Sequence, residues 1–145
     1  MCFLKTKESK VLVAKRDIKV YKIGIADNTS FSPYFYTDFK YSINQIVSEI
    51  VEFKNLIERG LHSYITCELV PSLLGTILYS CKKVECCVPF LIQETYLGEF
   101  IIPKGAIYCL NSNGEVVSNR LMYTGNYILI EEGKIYNPKK LWKEK

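Results

Sequence analysis

Histidine is almost absent from this chain, since His62 is the only one among 145 residues. A zinc site would therefore need an all-cysteine set. The six cysteines, Cys2, Cys67, Cys81, Cys86, Cys87 and Cys109, form no C-x-x-C pair. Adjacent Cys86 and Cys87 would point to opposite sides of a strand. They read as small core residues in a reducing compartment, not as a disulfide framework. No apolar run reaches the ~20 residues needed to cross a bilayer. The longest, Leu69 to Cys81, is broken by Pro71, Ser72 and Gly75. The opening MCFLKTKESK holds no apolar stretch of signal-peptide length. These absences lead to the expectation of a soluble cytoplasmic protein with no metal and no membrane partner.

An excess of positive charge in the body of the chain is missing too. Residues 1–22 hold seven Lys/Arg against two acids, and residues 134–145 hold five Lys against one Glu. Residues 23–133 are net acidic, so the formal charge of +4 comes from the two ends. A nucleic-acid reader needs a basic face on its folded core to neutralise phosphates. The terminal lysines read as solubilising tails (1–10 and 134–145), and sequence-specific nucleic-acid binding is not expected. No linker, low-complexity tract or internal repeat interrupts residues 1–145, which are expected to form one domain.

What is abundant favours strands. Eleven Tyr and seven Phe accompany many Val and Ile, and branched and aromatic side chains pack well on a pleated surface. VLVAK (11–15) and DIKVYKIGI (17–25) read as extended segments, and ADNTS (26–30) has turn chemistry. Residues 42–60 place Ile43, Ile46, Val47, Ile50 and Val51 on one helical face, with Gly60 as a stop. Val47, Val51 and Phe53 also share one side of a strand, so helix is favoured there on spacing alone. LHSYIT (61–66) reads as a strand. CELVPSLLGTILYSC (67–81) reads as a helix capped by Thr66, with Leu73, Leu74, Ile77 and Leu78 as its buried stripe. VECCVPFLI (84–92), GEFII (98–102), AIYCL (106–110), EVVSNRLMYTG (115–125) and YILIEE (127–132) read as strands, with turns at PKG and NSNG. A short helix is expected in the tail around Trp142. The expected class is α+β, a single compact domain with a mainly antiparallel or mixed sheet and one or two helices.

Three stretches occur in an order that resembles the ADP-ribosyltransferase fold: VYKIG (20–24), RGLHSYIT (59–66) and GEFIIPKGAIYCL (98–110). Lys22 stands where that family's arginine–serine–glutamate class has Arg, Ser63 stands near its Ser, and Glu99 matches its second Glu. The resemblance implies a site for NAD or an ADP-ribose-like nucleotide. Breaking the nicotinamide–ribose bond passes through a cationic, oxocarbenium-like sugar. A carboxylate such as Glu99 can stabilise that charge, while a basic group and a hydroxyl orient the phosphates. Lys22 lacks the fork of a guanidinium. Leu97 replaces the first Glu of the pair, and Tyr64-Ile65 replaces Thr-Ser. The layout of the whole chain is also similar to small uncharacterised proteins of bacteriophages and of gut bacteria carrying prophages.

Each candidate residue carries two readings. His62 can hold a ribose hydroxyl or fill a structural place. Tyr34 and Tyr36 can stack on a base or pack on the sheet. Lys104 can meet a phosphate or shape the PKG turn, and Glu99 can be a catalytic acid or the polar start of a strand. The leading expectation is a non-enzymatic protein that binds a small anionic ligand through Lys22, Tyr34, Tyr36, His62, Ser63, Tyr64, Glu99 and Lys104. In a phage setting it would sequester an NAD- or ADP-ribose-like signal as an anti-defence protein. One alternative is an ADP-ribosyltransferase or NAD glycohydrolase with Glu99 as its carboxylate. The other is an interaction module in which the edge of the hairpin 98–130 pairs with a host protein. Oligomerisation is compatible with all three.

Overall fold

The computed structural model describes residues 3–4, 10–33, 39–53, 56–57, 60–64, 68–71, 76–81, 84–89, 96–111 and 115–130. Every regular element among them is a β-strand. In chain order these begin with β1 (Phe3–Leu4), β2 (Lys10–Val13), β3 (Ile18–Ala26), β4 (Ser30–Pro33) and β5 (Tyr41–Ser42). They continue with β6 (Ile46–Ser48), β7 (Leu56–Ile57), β8 (Leu61–Tyr64), β9 (Glu68–Pro71) and β10 (Thr76–Cys81). The last five are β11 (Val84–Pro89), β12 (Tyr96–Ile102), β13 (Ile107–Leu110), β14 (Glu115–Ser118) and β15 (Arg120–Leu129).

The α+β expectation is therefore corrected: the described residues form an all-β arrangement. Where a helix was expected over 42–60, Asn44 sits in the left-handed region at φ 61°. There the Asn44 amide donates to the Tyr123 carbonyl, so no helix runs through it. β6 then pairs antiparallel with β15, matching Val47 to Leu121. Of the five residues on the expected helical face, Ile43, Ile46 and Ile50 are exposed and Val47 and Val51 are partly buried. The second expected helix, over 67–81, is instead strands β9 and β10 of a three-stranded antiparallel sheet completed by β11. Pro71 ends β9 and holds Val70 before it extended, which opposes a helical start there. The expected tail helix lies outside the described residues.

The main sheet has ten strands, in the order β2-β13-β14-β8-β3-β12-β15-β6, with β4 joining β3 and β5 joining β4. Its named pairings are antiparallel. β14 and β15 are separated in sequence by Asn119 alone, yet β8, β3 and β12 lie between them in the sheet. The sheet must curl to bring their ends together, which makes it nearly closed and barrel-like. Asn119 pins that corner. Its amide donates to the Ile107 carbonyl, its Oδ1 accepts from the Ile107 amide at 2.9 Å, and its carbonyl accepts from the Glu49 amide.

Strand alternation separates two faces. The inner face carries Val20 on β3, Phe100 and Ile102 on β12, Leu61 on β8, Val116 on β14, and Leu121 and Tyr123 on β15, all in one buried cluster. Phe100 is its hub, with Phe31, Tyr41 and Tyr123 rings centred 4.9, 5.0 and 5.2 Å away. The outer face carries Tyr21, Ile23, Leu97, Cys109 and Val117, also buried. Val51 and Phe53, from the segment after β6, pack on Cys109 and Val117.

Phe31 lies against two glycines of the inner face, Gly24 and Gly98, which leave room for its ring. A Cβ on Gly98 would come within 2.5 Å of Phe31 Cε2. Gly98→Ala is therefore expected to destabilise the fold by about 1–3 kcal/mol, the usual range for overpacking a core. Urea denaturation of the two proteins measures it, and an unchanged midpoint would mean that Phe31 moves aside freely.

Between β3 and β4 the chain turns on Asp27. Its Oδ1 accepts from the Thr29 and Ser30 amides at 2.7 Å and from the Thr29 hydroxyl at 2.8 Å. The Thr29 amide is the largest cause holding the Asp27 carboxyl below its ordinary range, and the Thr29 hydroxyl and Ser30 amide add to it. A carboxylate with a depressed folded-state pKa stabilises the fold above its unfolded value and loses that contribution as pH falls through the folded value. The strand and turn expectations for 17–30 thus agree with the structure.

Candidate functional site

Register decides which of the singled-out side chains meet. β3 pairs with β12 so that Lys22 stands opposite Gly98 and Tyr21 opposite Glu99. On its other edge β3 meets β8 at Tyr21 and Tyr64. One position further along, Lys22 stands opposite Ser63. Opposite residues of an antiparallel pair share a face. Lys22 and Ser63 therefore point inward with Phe100 and Val116, whereas Glu99 points outward beside Tyr21. Lys22 and Ser63 thus share the inner face, and the Glu99 carboxylate lies across the sheet from them.

The inner pair has an electrostatic character of its own. The Lys22 ammonium donates to the His62 carbonyl and lies 5.7 Å from the centre of the Tyr41 ring. These two contacts are its interactions among the described residues, and neither partner is a carboxylate. Burial lowers the Lys22 pKa to about 8, because desolvation disfavours the charged form. The side chain retains partial contact with solvent. Ser63 is 1% exposed and its Oγ has no hydrogen-bond partner. Burial, and next the charge of Glu49, push the Tyr41 phenol far above its ordinary value, so it stays neutral wherever Lys22 titrates. Among the described residues no carboxylate pairs with the Lys22 ammonium, which leaves it a donor that an anionic oxygen would complete.

Glu99 is 4% exposed and sits in a different kind of place. Opposite it, β15 carries Thr124, Gly125 and Asn126 between the pairs Gly98–Tyr127 and Phe100–Tyr123. This bulge contains Gly125 at φ 91°, a conformation suited to glycine. It aims two donors at Glu99 Oε1, the Thr124 hydroxyl at 3.2 Å and the Asn126 side-chain amide at 3.1 Å. Oε2 has no hydrogen-bond partner. Burial, and next the charge of Glu99, raise the Tyr21 phenol above its ordinary pKa.

The remaining candidates are dispersed. His62 follows the outward alternation between Leu61 and Ser63, and it is its main-chain carbonyl that touches Lys22. Tyr64 marks the β3–β8 register, Glu115 being its partner on β14. Lys104 is exposed in the turn after β12, where its amide donates to Asp17 Oδ1 at 2.9 Å. Asp17 precedes Lys22 by five residues, roughly 16 Å of extended chain. Tyr34 and Tyr36 lie outside the described residues. Residues that the sequence reading missed are Tyr41, which covers Lys22, and Thr124 and Asn126, which hold Glu99. The Thr-Gly-Asn triplet inside an otherwise apolar strand was the legible signal for the latter two, since a strand glycine marks a bulge.

Among the described residues no group of three His, Cys, Asp or Glu side chains is arranged to hold a metal ion. Cys109 is fully buried. No helix in the described residues is long and apolar enough to cross a membrane. Comparison with known proteins finds no matching family model, no matching curated protein and no matching solved structure. The resemblances to ADP-ribosyltransferases and to phage proteins therefore rest on the sequence alone.

Proposed function

We propose that this protein binds a small anionic ligand without turning it over, with the Lys22 ammonium as the anion's principal partner and Tyr41 as the adjoining wall. The observation that carries this reading is a largely desolvated cation with no carboxylate paired to it among the described residues. Such a group is unfavourable until an anion arrives, and binding then restores its charged form. Phosphate oxygens suit a lysine well, as compact acceptors for a point charge. Nucleotides of the NAD and ADP-ribose type fall within this class. Glu99 lies across the sheet from Lys22, which supports binding over transfer in this reading.

Isothermal titration with pyrophosphate, ADP-ribose and NAD between pH 6.5 and 9.5 tests the proposal. If only the protonated lysine binds, apparent Kd rises by about tenfold per pH unit above the Lys22 pKa, because the competent fraction falls by that factor. Binding also raises the unfolding temperature by an amount set by ligand concentration over Kd. Absence of both heat and thermal shift for all three ligands would overturn the anion-binding reading. Nicotinamide release from NAD that disappears in Glu99→Gln would overturn its non-catalytic part.

A further inference from the structure

Strand β2 closes one end of the described sheet and pairs only with β13 there. Its three large side chains are all open to solvent, Val11 at 43%, Leu12 at 44% and Val13 at 59%. Alternation puts Val11 and Val13 beside Cys109 on the outer face and Leu12 beside Tyr108 on the inner face. Both apolar rows of the sheet thus run out to this edge and stop uncovered. A lone exposed valine needs no explanation. Three in succession, on both faces of an end strand, is the arrangement that natural sheets avoid.

The backbone shows which groups are open. Ala14 bonds toward β13, its amide donating to the Ala106 carbonyl and its carbonyl accepting from the Gly105 amide, both at 2.8 Å. By the two-residue period of an antiparallel ladder, Leu12 also bonds toward β13. Val11 and Val13 then turn their N–H and C=O groups away from it. Ile107, opposite Val13, agrees: its amide and carbonyl are both engaged with Asn119, on the side away from β2. The edge carries no proline, and its one charged residue is Lys10 at the start of the strand.

We propose that β2 receives an added antiparallel strand from another protein, an extended segment with apolar residues in its middle and acidic residues at its ends. Main-chain groups of Val11 and Val13 would form the new ladder, and the partner's apolar side chains would continue the two uncovered rows. Charge selects the occupant. Lys10, Lys15 and Arg16 flank the strand and are exposed, with no acid from 10 to 16. A second copy pairing through β2 would bring like charges together, whereas acidic flanks complement them.

A fluorescein-labelled peptide of alternating valine and threonine, flanked by glutamates, is titrated with the full chain and read by anisotropy. A lysine-flanked version serves as the comparison. The acidic peptide is expected to bind at least tenfold more tightly. Val13→Pro removes an outward N–H without removing a bond to β13, so it should weaken binding at least tenfold with little change in unfolding temperature. Lys15→Glu/Arg16→Glu keeps every backbone donor and should reverse the preference between the two peptides. Equal binding of both peptides, or binding unaffected by Val13→Pro, would overturn the proposal. So would a wild-type dimer in sedimentation that Val13→Pro dissociates, since β2 would then serve a second copy.

Discussion

In a Lys22→Met protein, affinity for pyrophosphate falls at least tenfold and the urea midpoint at neutral pH holds or rises. The first effect follows from removing a charge-assisted hydrogen bond, worth about 1.5–3 kcal/mol, or roughly 10–100-fold in Kd. The second follows from what the lysine costs in the unliganded fold. Methionine keeps an unbranched chain that can lie along the Tyr41 ring. It gives up the bond to the His62 carbonyl, but it also removes a cation that burial disfavours. The pH dependence has a definite sign. Below pH 8 both folded and unfolded chains carry the protonated lysine, and the folded one bears the full penalty. Between about 8 and the ordinary lysine value of 10.5 the folded state releases its proton first. The unfolded state then holds more protons, so wild-type stability rises with pH across that window. The advantage of Lys22→Met should shrink accordingly from pH 7 to pH 10. A constant difference between the two proteins over that range would show that Lys22 is not desolvated in the fold.

The same region shows why a site read from sequence order can divide when the chain folds. Lys22, Ser63 and Glu99 occur in the expected order, and their strands β3, β8 and β12 are neighbours in the sheet. Spacing along the chain says nothing of register, however, and a slip of one residue exchanges the faces of a strand. The pairing of Lys22 with Gly98 sends Glu99 outward; a slip of one position would have put it on the face of Lys22. That pairing suits the packing, because Phe31 needs the bare face at Gly98 and Phe100 needs the core. The strands themselves were legible wherever alternation was supported by turn chemistry, as at Asp27 and at Pro103–Gly105. They were not legible at 42–60 or 67–81, where apolar residues recur every three or four positions but tertiary pairing decides. Ile46 and Val47 fit a helical stripe as well as an edge strand, and Asn44 with its positive φ settles the matter only in three dimensions. Covering side chains such as Tyr41 arrive from a strand distant in sequence, so nothing near Lys22 announced them.

Phe100→Ala should have the largest effect on stability, about 3–5 kcal/mol. The side chain is fully buried and holds three aromatic neighbours, Phe31 and Tyr41 edge-to-face and Tyr123 tilted. Its removal leaves a cavity bounded by rings that come from three strands, β4, β5 and β15, so no single element can shift to fill it. Aromatic pairs of this geometry add about 0.5–1.5 kcal/mol each beyond area burial. Against a total of roughly 5–15 kcal/mol for a domain, the loss is a large fraction of what holds the barrel together. At this chain length it corresponds to a fall of roughly 10 °C in unfolding temperature. The change also reaches the anion site, because the Tyr41 ring that walls Lys22 leans on Phe100. A Phe100→Leu protein refills much of the volume and should recover part of the stability, yet it offers Tyr41 no ring edge. Its pyrophosphate affinity should therefore recover less than its unfolding temperature. Thermal denaturation and titration on the same three proteins measure both, and full recovery of binding in Phe100→Leu would show that the wall of the site does not depend on the aromatic hub.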